Sequence, residues 1–293
     1  KTSILFIILY SNICFAGIDF TAKQIELSAL FRKTFAEKNE VDRVEANLDF
    51  TQAMGAMLKD ENSFSFPFDS LVKFKIMLES PDKEVRIFTW NLSMEDESQR
   101  YFGFIQHAVK RKKQQVIELY KLTDNSDNIK NPEMQPLDNT NWYGAFYYKI
   151  IETKKKKKKH YTLLGWDGNT RITNKKLIDI LFFDGKGLPK FGQPVLVVDK
   201  QTNKTQKRFI LEYKAGLTVS LRYYPEKNVI IFDHLSPEDS SQKGHFQYYG
   251  PDLSLDAFVL DKKGRWIIES DFEGKNEKDK KDKDYKTPQG DGK

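Results

Sequence analysis

Between Val85 and Glu269, short runs of β-branched and aromatic residues alternate with polar segments that carry Gly, Pro, Asn and Asp. This rhythm constrains the fold more than any other feature. Val85 to Leu92, Tyr101 to His107, Gln115 to Leu122, Trp142 to Thr153, Tyr161 to Gly165 and Ile178 to Phe183 fit a pleated, half-buried surface. Gln193 to Val198, Arg208 to Tyr213, Leu217 to Tyr224, Val229 to Asp233, Ala257 to Leu260 and Arg265 to Glu269 continue the series. Turn signals at Asp184-Gly185-Lys186-Gly187, Tyr224 to Asn228 and Asp261 to Gly264 separate neighbours. The spacing predicts a mainly β chain of α+β class, with antiparallel sheets closing as a sandwich, a barrel or a propeller-like array.

The segment before this series has a different period. Leu27, Leu30, Phe31 and Phe35, then Val41, Val44, Leu48, Ala53, Met54, Met57 and Leu58, recur at three- and four-residue intervals, which predicts one or two amphipathic helices. Asp69-Ser70 is read as the cap of a short helix running through Leu78. Residues 1–16 begin with Lys1, continue through an apolar run and end in Cys14-Phe15-Ala16, the pattern of a secretory signal peptide cleaved before Gly17. From Phe272 the chain turns to Lys, Asp, Glu and Gly, a disordered polyampholyte. The expected organisation is a signal peptide (1–16), a helical segment (17–79), an antiparallel β domain (80–271) and a charged tail (272–293).

The only cysteine, Cys14, falls inside the predicted signal, so the mature chain is expected to carry no disulfide, thiolate metal site or cysteine nucleophile. Neither this N-terminal run nor any later segment has the roughly 18 apolar residues of a membrane span. The formal charge of +6 equals the contribution of the lysine run Lys154 to Lys159 alone. A nucleic-acid face would spread Lys and Arg among aromatic residues, so no specific nucleic-acid partner is expected. The lysines fall between two strand-like runs, which places them at a hairpin tip able to make weak, salt-sensitive contact with an anionic surface.

Candidate chemistry is sparse. Asp167 follows Trp166 at a strand end, where Asp167-Gly168 reads as a tight turn and Trp166 is expected to be buried in the core, with stacking on a sugar as the alternative. Trp142, in an aromatic run through Tyr148, could likewise stack on a sugar or fill a core. Asp233 and His234 are adjacent, so on a strand they point to opposite faces. Asp252 follows Gly250-Pro251, read as a turn. No Gly-x-Ser-x-Gly elbow, Walker loop or metal-ligand spacing accompanies these residues, and no cofactor or metal is expected.

Arg100 to Gln106, Trp142 to Ala145, Tyr161 to Asn169, Ser220 to Tyr223, Phe232 to Pro237 and Tyr249 to Asp252 resemble segments of an uncharacterised family of exported Bacteroidetes-type bacterial proteins with no assigned function. The resemblance implies export and a bacterial envelope setting, in the periplasm, outer envelope or outside the cell. It carries over no catalytic residue. The reading that follows is a non-enzymatic secreted or envelope protein acting by binding or as a structural component. The competing readings are a secreted hydrolase or glycan-active enzyme, with Asp167, Asp233, His234 and Asp252 assembled by folding, and an electrostatic binder acting through Lys154 to Lys159.

Overall fold

The computed structural model describes residues 19–272 except 113, 156 and 157. The predicted signal peptide lies outside them, as does the charged tail beyond Phe272. The chain divides into two compact units between Leu71 and Val72.

The first unit is helical. The Asp19 carboxylate accepts hydrogen bonds from the Thr21 and Ala22 N–H groups, capping α1 (Phe20–Ala36). Asn39 caps α2 (Glu40–Leu58), and a 3-10 turn (Glu61–Ser65) follows. Two apolar stripes run along α2. The one bearing Ala46, Phe50, Met54 and Met57 is buried with Leu27 and Phe31 of α1, with Phe31 and Phe50 rings 5.1 Å apart. The other, Val41, Val44 and Leu48, is exposed together with Phe35, although three- and four-residue spacing alone had made these candidates for the same buried face. The two stripes occupy different angular sectors of the helix, and the aromatic-bearing one packs. α3 (Asp69–Lys73) is shorter than the expected helix through Leu78: Lys75 adopts a positive φ of 59°, and Met77–Glu79 is a strand.

The second unit is built of three open sheets. The first has the order β1-β2-β3-β4, from β1 (Met77–Glu79), β2 (Val85–Ser93), β3 (Gln99–Arg111) and β4 (Gln114–Thr123). The second contains β5 (Leu137–Asp138), β6 (Phe146–Lys155), β7 (Lys158–Asp167), β8 (Thr173–Phe183) and β9 (Pro189–Phe191) in the order β5-β9-β8-β7-β6, with β12 (Arg208–Lys214) also paired to β8. The third has the order β11-β10-β16-β15-β14-β13, from β10 (Leu196–Asp199), β11 (Lys204–Gln206), β13 (Leu221–Tyr224), β14 (Val229–Pro237), β15 (Tyr249–Leu260) and β16 (Trp266–Glu269). Among the described residues every strand pairing is antiparallel except β10 with β16, and an isolated bridge between Asp124 and Trp142 is also parallel. The fold is mainly β with N-terminal helices, as the sequence predicts; the barrel and propeller-like options give way to layered open sheets.

Alternation along the strands of the second sheet explains the layering. Ile150, Leu163, Leu177 and Leu181 join a core with Val85, Ile87 and Ile105 of the first sheet. Their neighbours Ile151, Leu164, Ile178 and Ile180 join another with Leu196, Phe232, Phe258 and Trp266 of the third. A central sheet covered on both faces requires apolar residues at both parities, hence the continuous runs in β6 to β8. Trp266 ties these layers: its ring is fully buried, and its Nε1 donates to Thr162 Oγ1 of β7 at 2.9 Å.

Two turn readings change. Asp167-Gly168 is not a two-residue turn, because residues 168–172 link β7 to β8 and Asn169 takes the positive φ, 45°. Gly250-Pro251-Asp252 lies within β15, where Gly250 and Pro251 pair with Ser236 and Leu235. The lysine run is, as expected, at the end of a long hairpin: β6 and β7 pair as far as Lys155 with Lys158. Lys159 Nζ lies 2.6 Å from both Asp82 Oδ2 and Glu84 Oε2, so that lysine is neutralised on the protein itself. Among the described residues no helix is long and apolar enough to cross a membrane.

Candidate functional site

The parity that gives β8 its core-facing row Leu177, Asp179 and Leu181 puts Lys175 next on the same face. Lys175 is in register with Asp167 of β7 on one side and Glu212 of β12 on the other, so three strands place a cation between two carboxyl-bearing positions. Lys175 Nζ donates to Asn169 Oδ1 at 2.8 Å and stands 4.0 Å from Glu212 Oε2. Glu212 Oε1 also accepts from Thr173 Oγ1 at 2.7 Å.

The Asn- and Asp-rich stretch after β4 builds the facing wall. Asp124 accepts from the Tyr101 N–H through Oδ2 at 3.0 Å, and through Oδ1 from the Ser126 N–H and Oγ and the Gly144 N–H. A Cβ on Gly144 would lie 2.5 Å from that carboxylate, so only glycine admits the contact. Further along, Arg208 Nη1 donates to the Pro132 carbonyl at 2.6 Å and Lys207 Nζ to that of Met134 at 2.8 Å, strapping the stretch to β12. Between these walls opens a cleft of about 780 Å³. Phe246, 41% exposed on a 3-10 turn (Phe246–Tyr248) and packed against the Tyr249 ring at 5.2 Å, also lines the cleft.

Asp167 is the cleft's most deeply buried carboxyl, 5% exposed. Its Oδ1 accepts from Tyr101 Oη at 3.1 Å and the Asn169 N–H at 2.7 Å, whereas Oδ2 has no hydrogen-bond partner among the described residues. Burial pushes this carboxyl above its ordinary range, with the Lys175 charge opposing. Tyr143, 3% exposed, also lines the cleft, and its hydroxyl likewise has no partner among the described residues. Burial, then the field of Asp167, raises that phenol. Burial raises Glu133 as well. Among the described residues no group of three or more His, Cys, Asp or Glu side chains could hold a metal ion.

Of the sequence candidates, only Asp167 lines the cleft. Asp233 Oδ2 accepts from the Ser220 N–H at 2.8 Å, fastening β13 to β14. His234 and Asp252 do meet, Nδ1 to Oδ2 at 2.8 Å, because a register shift between Asp233 and Leu235 sets them opposite one another. This is a surface pair, 43% and 34% exposed, with the Asp252 carboxyl held below its ordinary range by Ser254 and then His234. The four candidates therefore do not assemble into one site. Trp142 is fully buried and donates from Nε1 to Tyr147 Oη at 3.1 Å, so it cannot be a ligand platform. Trp166 is half-buried rather than the core residue expected, because the chain leaves the sheet here, and it stands beside a shallow depression lined by Met94, Gln99 and Arg171.

The sequence did not single out Lys175, Glu212, Tyr143 or Phe246 as site residues. For Lys175 and Glu212 the signal is cross-strand register, which a single sequence does not display, whereas Tyr143 and Phe246 lie outside the strands. Comparison with protein-family models, with curated proteins and with solved structures finds no match to this chain.

Proposed function

We propose that this is an exported, non-enzymatic binding protein whose cleft takes a small polyhydroxylated ligand of the glycan type. One observation carries the reading: two residues that are almost completely buried, Asp167 and Tyr143, each leave one polar atom, Asp167 Oδ2 and the Tyr143 hydroxyl, open to the cleft without a protein partner among the described residues. Polar atoms that reach solvent only through a cleft are held by water there, and a ligand that reproduces those hydrogen bonds can take its place. A cleft of about 780 Å³ is within the usual range of small-molecule sites. Its Asn, Asp and Glu groups offer the acceptors and donors that sugar hydroxyls need, and the exposed Phe246 ring suits the apolar face of a pyranose. No His or Cys lines the cleft, and Ser126 Oγ is engaged by Asp124 and the Gly144 N–H, which favours binding over nucleophilic chemistry.

Ligand-observed NMR with a panel of neutral mono- and disaccharides tests the reading. Saturation transfer to sugar-ring protons that is lost in Phe246→Ala supports it. Silence across the panel at millimolar concentration, or equal transfer in the variant, overturns it. Turnover of a chromogenic glycoside that disappears in Asp167→Asn would replace binding with hydrolysis. Export is tested separately by sequencing the N-terminus of envelope-fraction protein, with Gly17 expected as the first residue.

A further inference from the structure

We propose that the ligand carries a primary ammonium group seated against Asp167 Oδ2 and the Tyr143 hydroxyl, and so belongs to the amine-bearing sugars. The inference rests on the cleft being a polyol site. Five carboxyl side chains and three cationic ones line the cleft, an acidic balance in a chain whose formal charge is positive.

The carboxyls differ in how they are satisfied. Asp124 is saturated by Tyr101, Ser126 and Gly144 donors. Glu212 has Thr173, Asn169 and the Lys175 charge. Asp167 is buried deepest, yet no Lys or Arg of the described residues forms an ion pair with it, because Lys175 Nζ is turned to Asn169 Oδ1 and Glu212.

A neutral sugar closing over the cleft would strip water from Asp167 and return only a hydroxyl, leaving a carboxylate whose neighbouring cation, Lys175, is hydrogen-bonded elsewhere. An ammonium returns a full charge and three N–H donors, for which Asp167 Oδ2 and the Tyr143 oxygen are open acceptors. The hydroxyl-bearing ring carrying that ammonium uses Phe246 and the amide-rich wall as before.

Three probes separate the parts: glucosamine (ring, hydroxyls, ammonium), glucose (no ammonium) and cyclohexylamine (no hydroxyls). Affinities are measured by calorimetry or NMR titration at pH 6.5 on the wild-type protein, Asp167→Asn and Lys175→Met. Glucosamine is expected to bind about tenfold or more tightly than glucose, the scale of one charge-assisted hydrogen bond. Asp167→Asn should erase that preference, and Lys175→Met, which removes the nearest competing cation, should enlarge it. Equal wild-type affinities for glucosamine and glucose, or a preference that survives Asp167→Asn, overturns the ammonium inference and leaves the polyol reading standing. Absence of binding by both sugars overturns the polyol reading itself. Cyclohexylamine binding as tightly as glucosamine overturns the sugar assignment while retaining the cation contact.

Discussion

Arg208 and Asp179 face each other directly across the β8–β12 pair, both completely buried, joined by two parallel hydrogen bonds of 2.8 and 3.0 Å. The pair is part of a chain in which Trp142 Nε1 donates to Tyr147 Oη, and Tyr147 Oη to Asp179 Oδ2. Arg208 also holds the cleft wall through the Pro132 carbonyl. Arg208→Met strands a buried carboxylate and is expected to cost about 3–5 kcal/mol. The double variant Arg208→Met/Asp179→Leu, with no charge left to bury, should recover most of that loss. Equilibrium denaturation of the two variants checks it, and equal destabilisation would show that the charge is not the issue.

His107 stacks on Phe183 with ring centroids 3.5 Å apart, and burial lowers its pKa to about 4 against the pull of Glu118 and Glu84. The folded protein therefore keeps this imidazole neutral where the unfolded chain, titrating near 6.5, protonates it. Its contribution to stability is complete above about pH 6.5 and is lost as pH falls through about 4. The expected loss is about 1–2 kcal/mol, less than the full shift implies because water still reaches the ring. His107→Phe keeps a stacked ring and should flatten this part of a stability-against-pH curve; an unchanged slope would assign it to other groups.

Trp142 and Trp166 stand about the same distance along the sequence from obvious turn residues but differ in burial. Trp142→Ala is expected to cost about 3–5 kcal/mol and Trp166→Ala about 1–2 kcal/mol. Urea titrations of the two variants give the order directly, and a larger loss at Trp166 would contradict the placement of its ring.

Gly144→Ala would drive a methyl group into the Asp124 carboxylate. Displacing it breaks the bonds to the Tyr101 and Gly144 N–H groups, for an expected loss of about 2–3 kcal/mol. The same variant should weaken sugar binding, since Asp124 organises one wall of the cleft. Full stability and unaltered binding in Gly144→Ala would refute that role.

Strands whose composition is locally decisive were legible: Val85 to Leu92 was read, and β2 runs Val85–Ser93. The first half of β15 was not, because Tyr249 to Asp256 is polar and contains Pro251; it becomes a strand by pairing with the extension of β14, beyond the apolar layer. On α2 the spacing showed which residues were apolar but not which of two stripes a neighbour would cover. Asp167 was legible as a carboxyl at a strand end. Lys175 and Glu212 became its companions only through a register that joins the β7–β8 hairpin to the more distant β12.

The parallel pairing of β10 with β16 also governs how the molecule is assembled. β16 is the last described strand along the chain, yet it lies inside the third sheet, hydrogen-bonded to β10 through Leu196 and Val197 and to β15 on its other side. During synthesis β10 and β11 can only form an isolated two-stranded ribbon, with β10's inner edge open, until Trp266 and Ile267 have left the ribosome. Joining them then closes a long loop, an entropic cost that slows folding. Throughout that interval the open edge is free to pair with another nascent chain. Docking of β16 is therefore the step that joins the β10–β11 ribbon to the three strands β13 to β15 in one sheet and covers the inner edge of β10.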